Sequence, residues 1–256
     1  YDHGMSEDDY IDYLIDEAEF AFANTIDSED VACFIAECVQ GEGGFIPQPA
    51  KYLKAIKDLC EKYGILYIAD EIQSGFCRTG KFFAIEHMGF NPDIMTIAKS
   101  MADGMPLAAT LVKSELDKVR PGQLGGTYMG NAVACAASCA AVDAFKSFDF
   151  CGRAVEIGNY IKSRVEKMMS KHAQIGDFRG LGAMCAMEIV EDPKTKKPGA
   201  KLLAQIIKEC NKRGMLVLSC GMRGNNMRFL PPLVITDEQL AQAMDILEEA
   251  CDVVLD

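Results

Sequence analysis

Residues 65–80 read ILYIADEIQSGFCRTG: an apolar run from Ile65 to Ala69 stops on two carboxylates, Asp70 and Glu71, and then breaks into a glycine-containing loop. A short apolar run with turn residues behind it is the pattern of a strand buried in a sheet of parallel type. Upstream, Val31 to Ala36 is a second nearly continuous apolar run, and Ala50 to Tyr63 between them carries apolar residues at helical spacing. The three segments together predict a βαβ unit. Two further short runs, Ile94 to Ala98 and Leu107 to Val112, are bounded by glycine, proline or charge and extend the same mixed or parallel sheet.

Ahead of this core, Ser6 followed by Asp8, Asp9 and the apolar Ile11, Leu14, Ile15 and Ala18 predicts an N-capped amphipathic helix over 6–23. Behind it, Gly130 to Phe145 is alanine-rich and apolar nearly all round, which predicts a helix packed into the core. From Cys151 the texture changes. A long polar-faced helix ending near Lys171 precedes the run Met184 to Val190, a helix over Ala200 to Arg213, short strands near Met215 to Leu218 and Met227 to Leu230, and a last helix from about Asp237. The fold class is therefore α/β, with a mainly parallel sheet in a first domain over residues 1–148 and a smaller α+β domain over 149–256.

Several classes of function are disfavoured by bulk properties. A formal net charge of −12 opposes binding to a polyanion, so no nucleic-acid role is expected. No stretch approaches the roughly 18 uncharged apolar residues of a membrane span. The 11 cysteines are scattered through apolar segments without paired CxxC spacing, so they read as small core residues of a protein in a reducing compartment, the cytoplasm, and no metal site is expected of them. The chain opens on Tyr1-Asp2-His3-Gly4 with no initiator methionine, as expected of a piece of a longer protein.

Chemistry concentrates at strand ends, where open α/β sheets place their ligands. Asp70 sits at one such end, although a lone aspartate there is more often a helix cap or a loop hydrogen-bonder. In DIMTIAKSMADGMPL, residues 93–107, an apolar strand ends at Lys99. Desolvation there would favour the neutral amine and make it a nucleophile towards carbonyl carbon, whereas a lysine at a strand edge can also simply snorkel to solvent.

Five ordered blocks decide between these readings. ECVQGEGGF (37–45), ADEIQSGFCRTGKFFAIEHMG (69–89), DIMTIAKSMADGMPL, GGTYMGNAVACAA (125–137) and RGLGAMCAMEI (179–189) together resemble the class III aminotransferases of fold type I, in particular the 4-aminobutyrate aminotransferase group. The resemblance implies pyridoxal 5'-phosphate as cofactor, with Lys99 as its covalent anchor and proton shuttle. Asp70 would pair with the ring nitrogen, Gln73 would hydrogen-bond the phenolic oxygen, and Ile72 would lie against the ring. If the strand stays extended past Asp70, Asp70 and Ile72 share a side.

Thr127 matches the residue that reaches the cofactor phosphate from a neighbouring subunit, which implies a homodimer; read alone, it is also an ordinary turn residue. Arg228, in NMRFLPPL, matches the arginine that receives the substrate carboxylate, and Glu37 matches the acid that pairs with it when the substrate has no α-carboxylate. Without the family, that pair would equally read as a permanent salt bridge. Cys38, Asp103, Met129 and Ala132 depart from the family's usual residues, and the family's N-terminal region, with its phosphate loop and ring-stacking aromatic, has no counterpart here.

The implied activity is transamination of an ω-amino acid such as 4-aminobutyrate, with 2-oxoglutarate as acceptor. Rival readings are another class III activity, such as ornithine or acetylornithine transamination or an aminomutase, and a noncatalytic or split-chain fragment.

Overall fold

The computed structural model describes residues 4–256; Tyr1 to His3 lie outside the described residues. The chain forms two compact units. The first comprises residues 1–38, 48–76 and 83–148; the second takes 39–47 and 77–82 in addition to everything from Asp149 onward. The second unit thus draws in two short segments that a division at one point along the chain does not capture.

In the first unit the elements are α1 (Glu7–Asn24), β1 (Cys33–Glu37), α2 (Ala50–Tyr63), β4 (Leu66–Asp70), β5 (Ile94–Ile97), β6 (Ala109–Val112) and α3 (Ala132–Ser147). β1, β4 and β5 run parallel and β6 closes the sheet antiparallel, in the order β1-β4-β5-β6. The helix α2 makes the crossover. It places Leu53, Ile56, Leu59 and Cys60 into a core shared with Tyr67, Ala69 and Ile85. Gly64 ends it in the left-handed region at φ 71°, and the Ile65 N–H returns to Cys60 O, so the chain leaves the helix straight into β4.

Asp93, at the start of β5, knots the unit together. Its carboxylate accepts from Lys57 at 2.8 Å, Lys113 at 2.7 Å and the Tyr67 N–H at 2.9 Å. Burial pushes its pKa up, but these donors outweigh that and hold it down at about 2.

One expectation is overturned here. α3 is apolar, yet only Ala134 and Ser138 are buried, and Val133 is 64% exposed. Apolar composition shows that a helix can be buried, not what covers it, and within this chain little covers α3.

The second unit contains a small hairpin, β2 (Val39–Gln40) with β3 (Ile46–Pro47), and then α4 (Phe150–Lys171), β7 (Ile175–Leu181), β8 (Met184–Asp192), β9 (Lys197–Pro198), α5 (Ala200–Lys212), β10 (Leu218–Cys220), β11 (Asn226–Phe229) and α6 (Asp237–Leu255). Its antiparallel sheet runs β10-β11-β8-β7, with β9 also paired to β8. The residues expected to form a strand from Met215 do so only from Leu218. β7 went unpredicted because IGDFRGL mixes glycine and charge into its alternation.

α4 buries Ile157, Ile161, Val165 and Met168 along one stripe. At Gly158 an added Cβ would stand 2.0 Å from Gly182 O, so glycine allows the backbones to approach. α6 starts with a full capping box between Thr236 and Gln239 and buries Leu240, Met244, Leu247 and Cys251.

Candidate active site

Because β4 and β5 are parallel neighbours, their C-terminal ends lie side by side. Asp70 closes β4 in register with Thr96, and Lys99 follows β5 by two residues. The two groups singled out by sequence thus emerge at one edge of one sheet. Lys99 opens a short 3-10 turn and lines a cavity of about 460 Å³ with Ser100, Asp103, Gly104, Met105 and Pro106.

Its backbone is in the left-handed region at φ 46°, which costs a residue with a Cβ about 1–2 kcal/mol. The desolvated environment expected for Lys99 is absent: the residue is exposed, because β5 ends at Ile97 and the side chain leaves from the turn beyond it. Asp103 also has positive φ, at 41°, a conformation that aspartate tolerates better than most residues.

Asp70 is half-buried, and its Oδ1 accepts the Ile72 N–H at 3.0 Å. The extended conformation stops there. The Gly75 N–H returns to Glu71 O at 3.0 Å, so Ile72 and Gln73 lie in a turn, and strand alternation cannot assign Ile72 the same side as Asp70. Ile72 and Gln73 are both half-buried.

Glu71 was passed over in the sequence and is fully buried. The signal was available: residues 65, 67, 69 and 71 are the buried alternate set, so this carboxylate continues the inward face of β4. Its Oε2 accepts from Ser74 Oγ at 2.6 Å and its Oε1 from the Ile85 N–H at 2.6 Å. Burial pushes its pKa up, while these donors and the Ala84 backbone pull the other way.

A second buried oxygen near the strand ends, Thr96 Oγ1, has no hydrogen-bond partner among the described residues. Thr127 lies exposed in the turns between β6 and α3.

In the second unit, Arg228 sits on β11 opposite Ala186 and Leu218. Its Nη1 donates to Glu42, a carboxylate in the β2–β3 hairpin that sequence reading did not single out. The hairpin is itself held by Arg179, which donates to Gly44 O at 3.1 Å and to Asn226 Oδ1 at 2.6 Å, and by the Gly221 N–H to Glu42 O at 2.9 Å. Arg228 also borders a cavity of about 270 Å³ whose walls include Ile161, Met215, Phe229, Leu240 and Met244. Glu37, the other acid expected to serve Arg228, closes β1 in the first unit as the register partner of Asp70.

Chemically, the strand edge offers an accessible amine, a carboxylate oriented by its own turn, and a carboxamide. The second unit offers a guanidinium that a second carboxylate can engage.

Comparison with known proteins gives consistent results. The family model described as aminotransferase class-III matches residues 3–251. A probable 4-aminobutyrate aminotransferase of Bacillus subtilis is 43% identical over 96% of this chain and 56% of its own length. A 5-aminovalerate aminotransferase of Pseudomonas aeruginosa is 42% identical over 98% of the chain and 58% of its own length. The crystal structure of an amine transaminase from an uncultivated Pseudomonas species, in its pyridoxal-phosphate-bound form, superposes with a TM-score of 0.89 at 29% identity, covering 99% of this chain and 64% of that one. The chain thus spans less than two thirds of the length of the proteins it matches.

Proposed function

The chain belongs to the class III aminotransferases, and on that premise we propose that it is the lysine-bearing part of an enzyme that moves an amino group from an ω-amino acid such as 4-aminobutyrate to a 2-oxo acid, with 2-oxoglutarate as the acceptor. The observation that carries this reading is the emergence of Asp70 and Lys99 from adjacent parallel strands, with a cavity at the lysine. The residues present suit pyridoxal 5'-phosphate. An accessible primary amine meets the requirement of its aldehyde, and Asp70, whose one side-chain hydrogen bond is at Oδ1, keeps an oxygen for a ring N–H. When bound, the cofactor supplies a conjugated ring that takes up the electron pair left by a C–H bond broken next to nitrogen.

The protein's own groups do the rest. Lys99 Nζ would hold the cofactor and, when a substrate amine takes its place, would serve as the base that moves a proton. Asp70 would hold a proton on the ring nitrogen, Gln73 would donate to the phenolic oxygen, and Ile72 would provide an apolar face. By the family match, Arg228 would receive a substrate carboxylate, and Glu37 is the acid matched to donors that bring none to that position. The Glu42 contact supports an arginine whose carboxylate partner is exchangeable, since the Glu42 side chain is 74% exposed.

A second copy of the chain is the partner this reading requires, with Thr127 reaching the phosphate across the contact. The exposed Leu124, Tyr128, Met129 and Val133 around Thr127 support such an interface. The free cysteines suit a reducing, cytoplasmic setting, and among the described residues no helix is long and apolar enough to cross a membrane. Relatives named for 4-aminobutyrate and for 5-aminovalerate match at 43% and 42%, which favours an ω-amino donor without selecting its length.

The test is an assay of glutamate formed from 2-oxoglutarate in the presence of cofactor, with 4-aminobutyrate, 5-aminovalerate and ornithine as competing donors. We expect glutamate from the first two, lost in Lys99→Ala. Preference for ornithine would move the protein to another class III activity, and no turnover despite bound cofactor would favour the noncatalytic reading.

A further inference from the structure

We propose that Glu71 is a positioning residue whose buried carboxylate holds the turn that aims Asp70 and Gln73 at the cofactor. This inference rests on the reading of Asp70 as the partner of the ring nitrogen. Glu71 touches three separate segments. Its N–H donates to Thr96 O on β5 at 3.0 Å, its carbonyl receives the Gly75 N–H at 3.0 Å, and its carboxylate takes Ser74 Oγ and the Ile85 N–H, both at 2.6 Å. The strand end, the 72–75 turn and the 3-10 turn Ala84–His87 thus meet at one residue, whose side chain makes the link between the last two.

The coupling to Asp70 is direct. Ile72, the first residue of that turn, donates its N–H to Asp70 Oδ1, so a displaced turn would release the carboxylate from its orientation. Gly75 fits the same design, because a Cβ there would stand 2.7 Å from Glu71 O. A buried carboxylate is costly to hold compared with an apolar residue of similar size, the more so unless its oxygens find donors. A carboxylate accepts both bonds with charge assistance, whereas a glutamine would keep the Ile85 N–H on its oxygen only by turning its NH2 to the Ser74 hydroxyl, and would lose that assistance.

The experiment compares wild type, Glu71→Gln, Glu71→Asp and Ser74→Ala in the full chain. Two readouts are used: amide hydrogen exchange without cofactor, and the visible titration with pyridoxal 5'-phosphate, including the pH midpoint of the Lys99-dependent band. We expect exchange at Gly75 and Ile85 to quicken about 10-fold or more in Glu71→Gln, cofactor affinity to weaken by a similar factor, and the pH midpoint to move. Ser74→Ala, which removes one donor and leaves the carboxylate, should show the same changes in smaller measure, and it decides the matter if Glu71→Gln does not fold.

Unchanged exchange, affinity and midpoint, even with a lowered melting temperature, would overturn the proposal and leave Glu71 as core filling. If wild type itself gives no Lys99-dependent band, the cofactor reading fails, and the exchange comparison still decides whether Glu71 holds the turn.

Discussion

The sheets of the two units cover their apolar residues differently. In the second unit, the interior strand β8 is buried at Met184, Cys185, Ala186, Met187, Ile189 and Val190, so both of its faces are covered. In the first, Ile35 on β1 and Leu111 and Val112 on β6 are exposed, as is much of α3. Apolar residues are thus covered on the interior strand of one sheet and left as surface on the outer strands of the other, and the latter sheet is the one that leads to Lys99 and Asp70. Sites assembled from several pieces need such surface, because what completes them must also be bound there.

The sharpest way to break this comparison is to delete core from β8. Met187→Ala removes a fully buried side chain and should cost about 2–5 kcal/mol in denaturant unfolding, whereas Leu111→Ala on β6 should stay within ~0.5 kcal/mol. Equal losses would show that β6 is covered in solution.

Acid should act on the first unit through Asp93. With its folded pKa lowered to about 2, the carboxylate stabilises the fold above its unfolded value, and that contribution fades as pH falls from about 4 through about 2. The linkage amounts to about 2 kcal/mol, and Asp93→Asn should remove this segment of the pH-stability profile. A profile identical to wild type across that window would contradict the charge knot with Lys57 and Lys113.

The smallest effect on folding is expected from Val133→Lys on the exposed face of α3, within ~0.5 kcal/mol for unfolding. Its consequence should be seen in mass: wild type sedimenting as a dimer and the variant as a monomer. A monomeric wild type would remove the support that this face lends to a subunit contact.

How much of this was legible beforehand depended on whether a feature is local. The helix at Ala50–Tyr63 and the strands ending at Asp70 and Ile97 follow from apolar spacing and turn residues, which act within a few residues of chain. Lys99 and Asp70 stood out because they interrupt apolar runs. The exposure of Lys99 and of α3 was not legible, since burial depends on what packs above a segment. Glu42 is one of many surface acids in the sequence and acquires meaning only when the β2–β3 hairpin sets it before Arg228. Glu71 was within reach, because it continues the inward set of residues 65, 67 and 69, but reading 65–69 as one apolar block concealed that alternation.

The central claim is that Lys99, which follows the strand paired with the one that ends at Asp70, carries the cofactor. The most direct test is to titrate the purified chain with pyridoxal 5'-phosphate and record the visible spectrum of wild type and Lys99→Ala. The account predicts a saturable band in wild type that Lys99→Ala lacks; the same band in both proteins, or none in either, would contradict it.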